Sequence, residues 1–166
     1  MLVRVGQEVQ EVPRGVRPSF AAGYRISEDA DGVVEWEWAE ERLAAARNYW
    51  ITTTGANGAP HATPVWGVWI DGALVFGSDP SSIKARNLQR DPRVVAHLES
   101  GDEVVILHGR AEPGVPAEML DRVVEAYVAK YAWRPEIGDG WFVIRPSRAL
   151  AWRESDYPSS ATRFEL

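Results

Sequence analysis

Residues 77–87, Gly-Ser-Asp-Pro-Ser-Ser-Ile-Lys-Ala-Arg-Asn, gather three hydroxyls and two cations around the start of a predicted helix. A helix N-terminus presents free backbone N–H groups and a partial positive charge, so its first turn ordinarily favours Asp or Glu. Here it holds Lys84 and Arg86 and no acid. That costs about 0.3–1 kcal/mol unless an anion sits there. The free N–H groups, the hydroxyls of Ser78, Ser81 and Ser82, and the Lys84 ammonium together have the makings of a phosphate cradle. The same residues also suit a solvated basic face. So small a penalty is often tolerated, and from the chain alone both readings stand.

A second segment, Ala62-Thr63-Pro64-Val65-Trp66-Gly67, lies inside an apolar, β-branched run. Proline removes one ladder donor from a strand and is tolerated at an edge or a bulge. Gly67, three residues on, permits a close backbone approach. Together they predict a local break where the amides of Val65 and Trp66 face a flat ligand, or simply a kinked edge strand.

The remaining candidates are fewer. His61, His97 and His108 fall in predicted strands without metal-ligand spacing and read as core or surface histidines; only His61 lies near the ring-facing segment. With no cysteine, thiol catalysis, disulfides and cysteine metal sites are excluded. No G-x-S-x-G, Walker or G-x-G-x-x-G pattern occurs. The net charge of -6 argues against a nucleic-acid partner, although Lys84, Arg86, Arg90 and Arg93 cluster. No apolar stretch is long enough to cross a membrane, and no leader pattern opens the chain, so the expected address is the cytosol. Eight Trp in 166 residues suit a wide core, an extended interface or a ring-binding pocket.

These residues need elements to hold them. Residues 1–34 mix Pro, Gly and charge without a period and are expected to be an irregular arm, with one domain over 35–166. The stretch 35–49 is rich in helix formers, with Trp38, Leu43 and Ala46 spaced for one face. Strands are expected over 49–54, 61–70 and 73–76, forming a meander whose second turn is Asp71-Gly72. A short helix over 81–90 follows, with a serine N-cap and Asp91-Pro92 as its stop. Runs 93–99 and 103–112 pair across Ser100-Gly101-Asp102. Pro116 opens an amphipathic helix with Met119, Leu120, Val123, Val124, Tyr127, Val128 and Tyr131 on one stripe. Two short strands, 141–145 and 149–153, flank Pro146, and the tail after Ser155 is largely polar. About six turn-linked strands and few helices predict a mainly β, antiparallel barrel with helical additions.

The ordered stretch YWITTTGANGAPHATPVWGVWIDGALVFGSDPSSIKARNLQRDPRVVAHLESGDEVVILHGRAE, with VEWEWAEERLAAARNYW before it and ALAWRESDYPSSATRFEL after it, resembles the pyridoxamine-phosphate-oxidase-like flavoproteins. It looks most like their branch that uses FMN or the deazaflavin coenzyme F-420. The resemblance implies a six-stranded split β-barrel, a homodimer and cofactor sites between the protomers. It also implies that Thr63, Pro64, Val65 and Trp66 lie against the cofactor ring, and that Gly77 and Ser78 meet its ribityl-phosphate end. Lys84 would take the phosphate position of the family's S-R-K motif, followed by Arg86 and Asn87. Ile83 replaces that motif's arginine, so one usual FMN-phosphate partner is missing and pyridoxamine-phosphate oxidation is not expected. The implied activity is hydride transfer between FMN or the deazaflavin and a small organic substrate. A non-catalytic flavin or haem carrier on the same barrel is the rival.

Overall fold

The computed structural model describes residues 11–21 and 31–166. The predicted arm falls partly outside them, at 1–10 and 22–30. Its described pieces dock on the C-terminal tail: Val16 and Arg163 exchange backbone hydrogen bonds of 2.9 and 2.7 Å, and Val34 is buried in the core.

Helix α1 covers Trp36–Ala45, shorter than the helix-rich stretch. It ends because Asn48 already pairs with Trp66 across strands β1 (Asn48–Thr54) and β2 (Pro60–Trp66). Its buried face is Trp36, Ala39 and Leu43, while Trp38 is half-buried beneath the Arg42 guanidinium. The second predicted strand breaks at Gly67, and β3 (Val68–Ile70) then pairs with β4 (Ala73–Gly77). Asp71 and Gly72 both take positive φ, as a two-residue hairpin turn that follows strand twist requires. The meander is therefore two hairpins hinged at one residue.

Helix α2 (Ile83–Arg90) is N-capped by the Ser82 hydroxyl, which accepts from the Ala85 N–H at 3.2 Å. Strands β5 (Arg93–His97) and β6 (Glu103–Pro113) form the next hairpin. A 3-10 turn at Ala117–Met119 leads into α3 (Leu120–Tyr131). The last two predicted strands are one: β7 runs unbroken over Trp141–Arg153. Pro146 is absorbed where the β6–β7 register shifts at His108/Gly109, a bulge that needs no ladder donor there. The tail adds β8 (Thr162–Glu165) on β7, with Phe164 fully buried, where mainly polar loop was expected.

All these pairings are antiparallel, in the order β2-β1-β5-β6-β7-β4-β3. The two outer strands, β2 and β3, are consecutive and joined by Gly67 alone, so the sheet has to curl until its ends meet. Counting the run divided by Gly67 once, six strands make a split barrel, with β8 added. The barrel interior is packed, and the outer face is covered over β3, β4 and the start of β7. Leu74 and Phe76 point into the barrel with Tyr49, Ile51, Leu107, Phe142 and Ile144. Their neighbours Ala73 and Val75 face outward under Val123, Tyr127 and Tyr131 of α3. At 12 residues α3 is marginal as an isolated helix. That outer layer, at roughly 1.5–3 kcal/mol per buried large side chain, is what secures it.

Candidate functional site

Strand alternation divides the predicted ring segment. Successive side chains on β2 point to opposite sides, and Pro60, Ala62, Pro64 and Trp66 are exposed while His61, Thr63 and Val65 turn inward. Thr63 and Val65 thus lie on the other side of the strand from Pro64 and Trp66. β2 is a sheet edge, which accounts for its two prolines. Gly67 is buried, and the close approach it permits is made by the protein itself. Tyr131 Oη accepts from the Gly67 N–H at 2.8 Å, and Lys130 Nζ donates to the Gly67 carbonyl at 3.2 Å.

Trp66 is 43% exposed, unusual for so large an apolar side chain. One face of its indole stacks on Tyr131, with ring centres 4.5 Å apart and planes 6° from parallel. Trp66, Gly77, Ser78, Tyr127, Trp133 and Trp141 line an open cleft of about 340 Å³. Gly77 lies against the Trp141 indole, where a Cβ would come 2.9 Å from a ring carbon. Next to it, the Ser78 N–H donates to the Gly140 carbonyl at 2.9 Å, and Gly140 has the positive φ that favours glycine. The Tyr127 hydroxyl spans the cleft floor, donating to the Trp66 carbonyl at 3.0 Å while the Gly77 amide hydrogen-bonds to it. Burial pushes the Tyr127 pKa up, so this phenol stays protonated at neutral pH.

At the Ser78 end the cleft meets the start of α2. Ser78 Oγ and Ser82 Oγ are 2.8 Å apart, and Lys84 Nζ donates to Ser78 Oγ at 3.3 Å. This cluster is the part of the predicted cradle that comes together. Ser81 is committed elsewhere: its N–H and hydroxyl both donate to the Asp79 carboxylate, at 2.7 and 2.6 Å, holding that carboxyl below its ordinary range. Arg86 is exposed and turns back to the Ser81 carbonyl at 2.5 Å. Asn87 is buried under α2 and donates to Thr53 Oγ1 at 3.0 Å, tying the helix to β1. Ile83 is 52% exposed, so the apolar replacement stands on the surface beside Lys84.

Two inward-facing atoms of β2, Thr63 Oγ1 and His61 Nδ1, are buried without a hydrogen-bond partner. The other histidines are accounted for locally. His97 Nδ1 lies 2.7 Å from the Leu98 carbonyl and its ring stacks on Trp50, and burial lowers the His108 pKa.

The sequence reading missed the contribution of α3 and the segment after it. Tyr127 and Tyr131 read as a helix stripe, Trp141 as the start of a strand and Trp133 as neither, yet they build the walls around Trp66. Three tryptophans converging on one glycine-serine corner could be suspected from the Trp count, but not assigned without the topology.

The sequence pattern of the family described as Pyridoxamine 5'-phosphate oxidase matches residues 36–153. No curated protein matches the chain in sequence. Among solved structures it is similar to the conserved hypothetical protein Rv2991 from Mycobacterium tuberculosis, with 28% identity, a TM-score of 0.63, and 77% of this chain and 90% of that one covered. A protein described as F420 Reductase shares the fold at 20% identity and TM-score 0.52, over 66% of this chain and 94% of that one. A heme binding protein from Mycobacterium smegmatis does so at 21% identity and TM-score 0.62, over 84% of this chain and 59% of that one. With the matched segment running from α1 to the end of the curled antiparallel barrel, the chain belongs to the pyridoxamine 5'-phosphate oxidase-like split-barrel family.

Proposed function

We propose that the protein is an oxidoreductase working with a phosphate-bearing ring cofactor, FMN or the deazaflavin coenzyme F-420, on a small organic substrate. The observation that carries this reading is the double role of Ser78. It lines the aromatic cleft and also accepts the hydrogen bond from Lys84, so a flat apolar surface and a cationic anchor share one residue. A molecule with a ring at one end and a phosphate at the other matches that layout. The membership of the family supports it.

In this reading Lys84 and the hydroxyls of Ser78 and Ser82 hold the phosphate at the α2 N-terminus, where the helix dipole favours an anion. Asn87 keeps the helix in place from beneath rather than touching the ligand. Arg86 supplies longer-range positive charge. Pro64, Trp66 and the Gly77 backbone serve the ring end, while Thr63 and Val65 face the barrel side of β2 and act on the ring only by holding the strand in place. The bound cofactor supplies the hydride chemistry, and the protein supplies orientation, water exclusion and electrostatics. Among the described residues Tyr127 is the only titratable one lining the cleft, and its raised pKa suits a fixed hydrogen-bond donor rather than a base. No dedicated acid or base is assigned. With Ile83 in the place of a second cation, phosphate affinity rests on Lys84, which favours an exchangeable cofactor.

We further propose that the working unit is a homodimer with the cleft completed by the second copy. Edge strand β2 and the exposed Trp66, Ile83, Val128 and Trp133 are the surface that would be covered. A non-catalytic flavin or haem carrier is the second reading, favoured by a cleft lining that, among the described residues, holds no acid or base besides the Tyr127 phenol. Absorbance spectra after separate incubation with FMN and coenzyme F-420, followed by addition of an electron acceptor to the reduced complex, separate the two. Turnover supports the enzyme, stable binding without turnover the carrier, and no binding of either cofactor overturns both.

A further inference from the structure

Helix α3 grips the two peptide units that flank Gly67 with three side chains. Tyr127 Oη donates to the Trp66 carbonyl at 3.0 Å. Tyr131 Oη accepts from the Gly67 N–H at 2.8 Å, and its single proton is within reach of the Arg47 carbonyl at 2.7 Å and the Gly67 carbonyl at 2.8 Å. Lys130 Nζ donates to the Ala46 carbonyl (2.9 Å), to Tyr49 Oη (3.2 Å) and to the Gly67 carbonyl (3.2 Å). An ammonium has three protons, and here they meet three oxygen acceptors. Tyr49 acts as an acceptor because its own proton goes to the Leu43 carbonyl.

This is more than a helix needs in order to dock. The apolar layer beneath α3 already secures it, and burying half of a lysine among neutral groups is unfavourable in itself. No carboxylate pairs with Lys130 among the described residues. The groups facing it are the phenols of Tyr49 and Tyr131 and two carbonyls, and the Arg47 guanidinium packs against the same Tyr131 ring. The return on that cost is local. The gripped residues are Trp66, whose indole stacks on Tyr131, and Gly67, the single link that closes the sheet.

We propose that Tyr127, Lys130 and Tyr131 are positioning residues that fix the orientation of the Trp66 indole, and so set the ring end of the cofactor site from behind. The proposal rests on the reading of Trp66 as part of a ring site. It assigns regulation of that site to the protonation of Lys130, since loss of one proton leaves two N–H donors for three acceptors. The grip then loosens as pH rises through about 8, the value to which burial lowers this lysine.

The test follows the Trp66 indole N–H resonance in 15N-labelled protein without ligand, identified by its disappearance in Trp66→Phe. In the wild type it should shift with pH between 7 and 9.5. In Lys130→Met, which keeps the length of the stem, the shifted position should appear already at pH 7 and the pH response should vanish. FMN affinity at pH 7 should fall roughly three- to tenfold in the variant, as for loss of a net hydrogen bond. Tyr127→Phe, which removes one hydroxyl and no volume of consequence, should move the same resonance should Lys130→Met not fold. An indole resonance unchanged in the variant that folds, or a wild-type signal flat across the pH range, overturns the proposal. The resonance is read without cofactor, so wild-type protein that binds neither FMN nor coenzyme F-420 removes the ring reading while the grip is still decided.

Discussion

Lys84 reaches back six residues to donate from Nζ to the Ser78 hydroxyl at 3.3 Å, and no carboxylate shares it among the described residues. A cation in the first turn of α2 with a neutral partner opposes the helix dipole, and a single neutral acceptor does little to offset it. Lys84→Ala should therefore leave the melting point of the ligand-free protein unchanged or slightly higher, by thermal unfolding followed with circular dichroism. A clear fall in melting point would mean that Lys84 serves the fold rather than a ligand.

Asn87 should behave in the opposite way. Its amide is buried and bonded to Thr53 Oγ1, so Asn87→Leu preserves volume but removes the tie between α2 and β1. A loss of about 1–3 kcal/mol is expected, or roughly 2–4 °C of melting temperature for each kcal/mol in a chain of this size. Parallel melts of the Lys84 and Asn87 variants check the contrast, and equal behaviour would contradict the division between anchor and brace.

Trp66→Asp should keep far-ultraviolet circular dichroism close to the wild type, because the indole is 43% exposed and its main-chain contacts do not depend on the side chain. Cofactor binding should weaken at least tenfold, about 1.4 kcal/mol. Flavin fluorescence titration measures it. Normal affinity would remove Trp66 from the site, and an unfolded variant would make it a core residue.

The pH dependence of stability has a definite sign. The folded-state pKa of Lys130 is lowered to about 8 from 10.5. Between those values the folded protein binds fewer protons than the unfolded chain, so this group makes stability rise with pH. Above about pH 10 the raised pKa values of Tyr49, Tyr127 and Tyr131 act in the reverse direction, since their unfolded forms ionise first. Urea unfolding of wild type and Lys130→Met at pH 7.5 and 9.5 should show the wild type gaining stability relative to the variant at the higher pH. The opposite trend would exclude the assigned cause.

The legible and illegible parts of the sequence differ for a physical reason. The Asp71-Gly72 turn, the Ser82 cap and the Pro116 helix start are local signals, and each appears where the residues put it. Strand β7 was read as two because the proline rule is local, whereas the bulge that absorbs Pro146 is made with β6. β8 was missed because Thr-Arg-Phe-Glu gains its burial from distant partners: β7, the arm residues Val16 and Val34, and Trp36 of α1. In the candidate site, the gathering of Ser78, Ser82 and Lys84 at the start of α2 was legible from the sequence around the helix N-terminus. Ser81 and Asn87 were not separable from them, since only the fold turns one toward Asp79 and the other into the interior. The walls supplied by Tyr127, Trp133 and Trp141 depend on packing between segments distant in the chain.

A second copy of the chain should be bound in solution if the cleft is completed between protomers. Light scattering at micromolar concentration should give about twice the 18.5 kDa chain mass. Trp66→Asp, at the surface to be covered, should weaken that association. A monomeric mass across the concentration range would remove the shared site and leave the cleft to act alone.

The central claim, that Lys84 and the serines around it hold the phosphate of a ring cofactor, is tested most directly by titrating wild type and Lys84→Ala with FMN, riboflavin and coenzyme F-420. A charged hydrogen bond is worth about 1.5–3 kcal/mol, so affinity for the two phosphate-bearing ligands should fall roughly ten- to hundredfold. Riboflavin, which has the ring without the phosphate, should bind both proteins equally. FMN affinity that is the same in wild type and variant, or a loss for riboflavin as large as that for FMN, would contradict the claim.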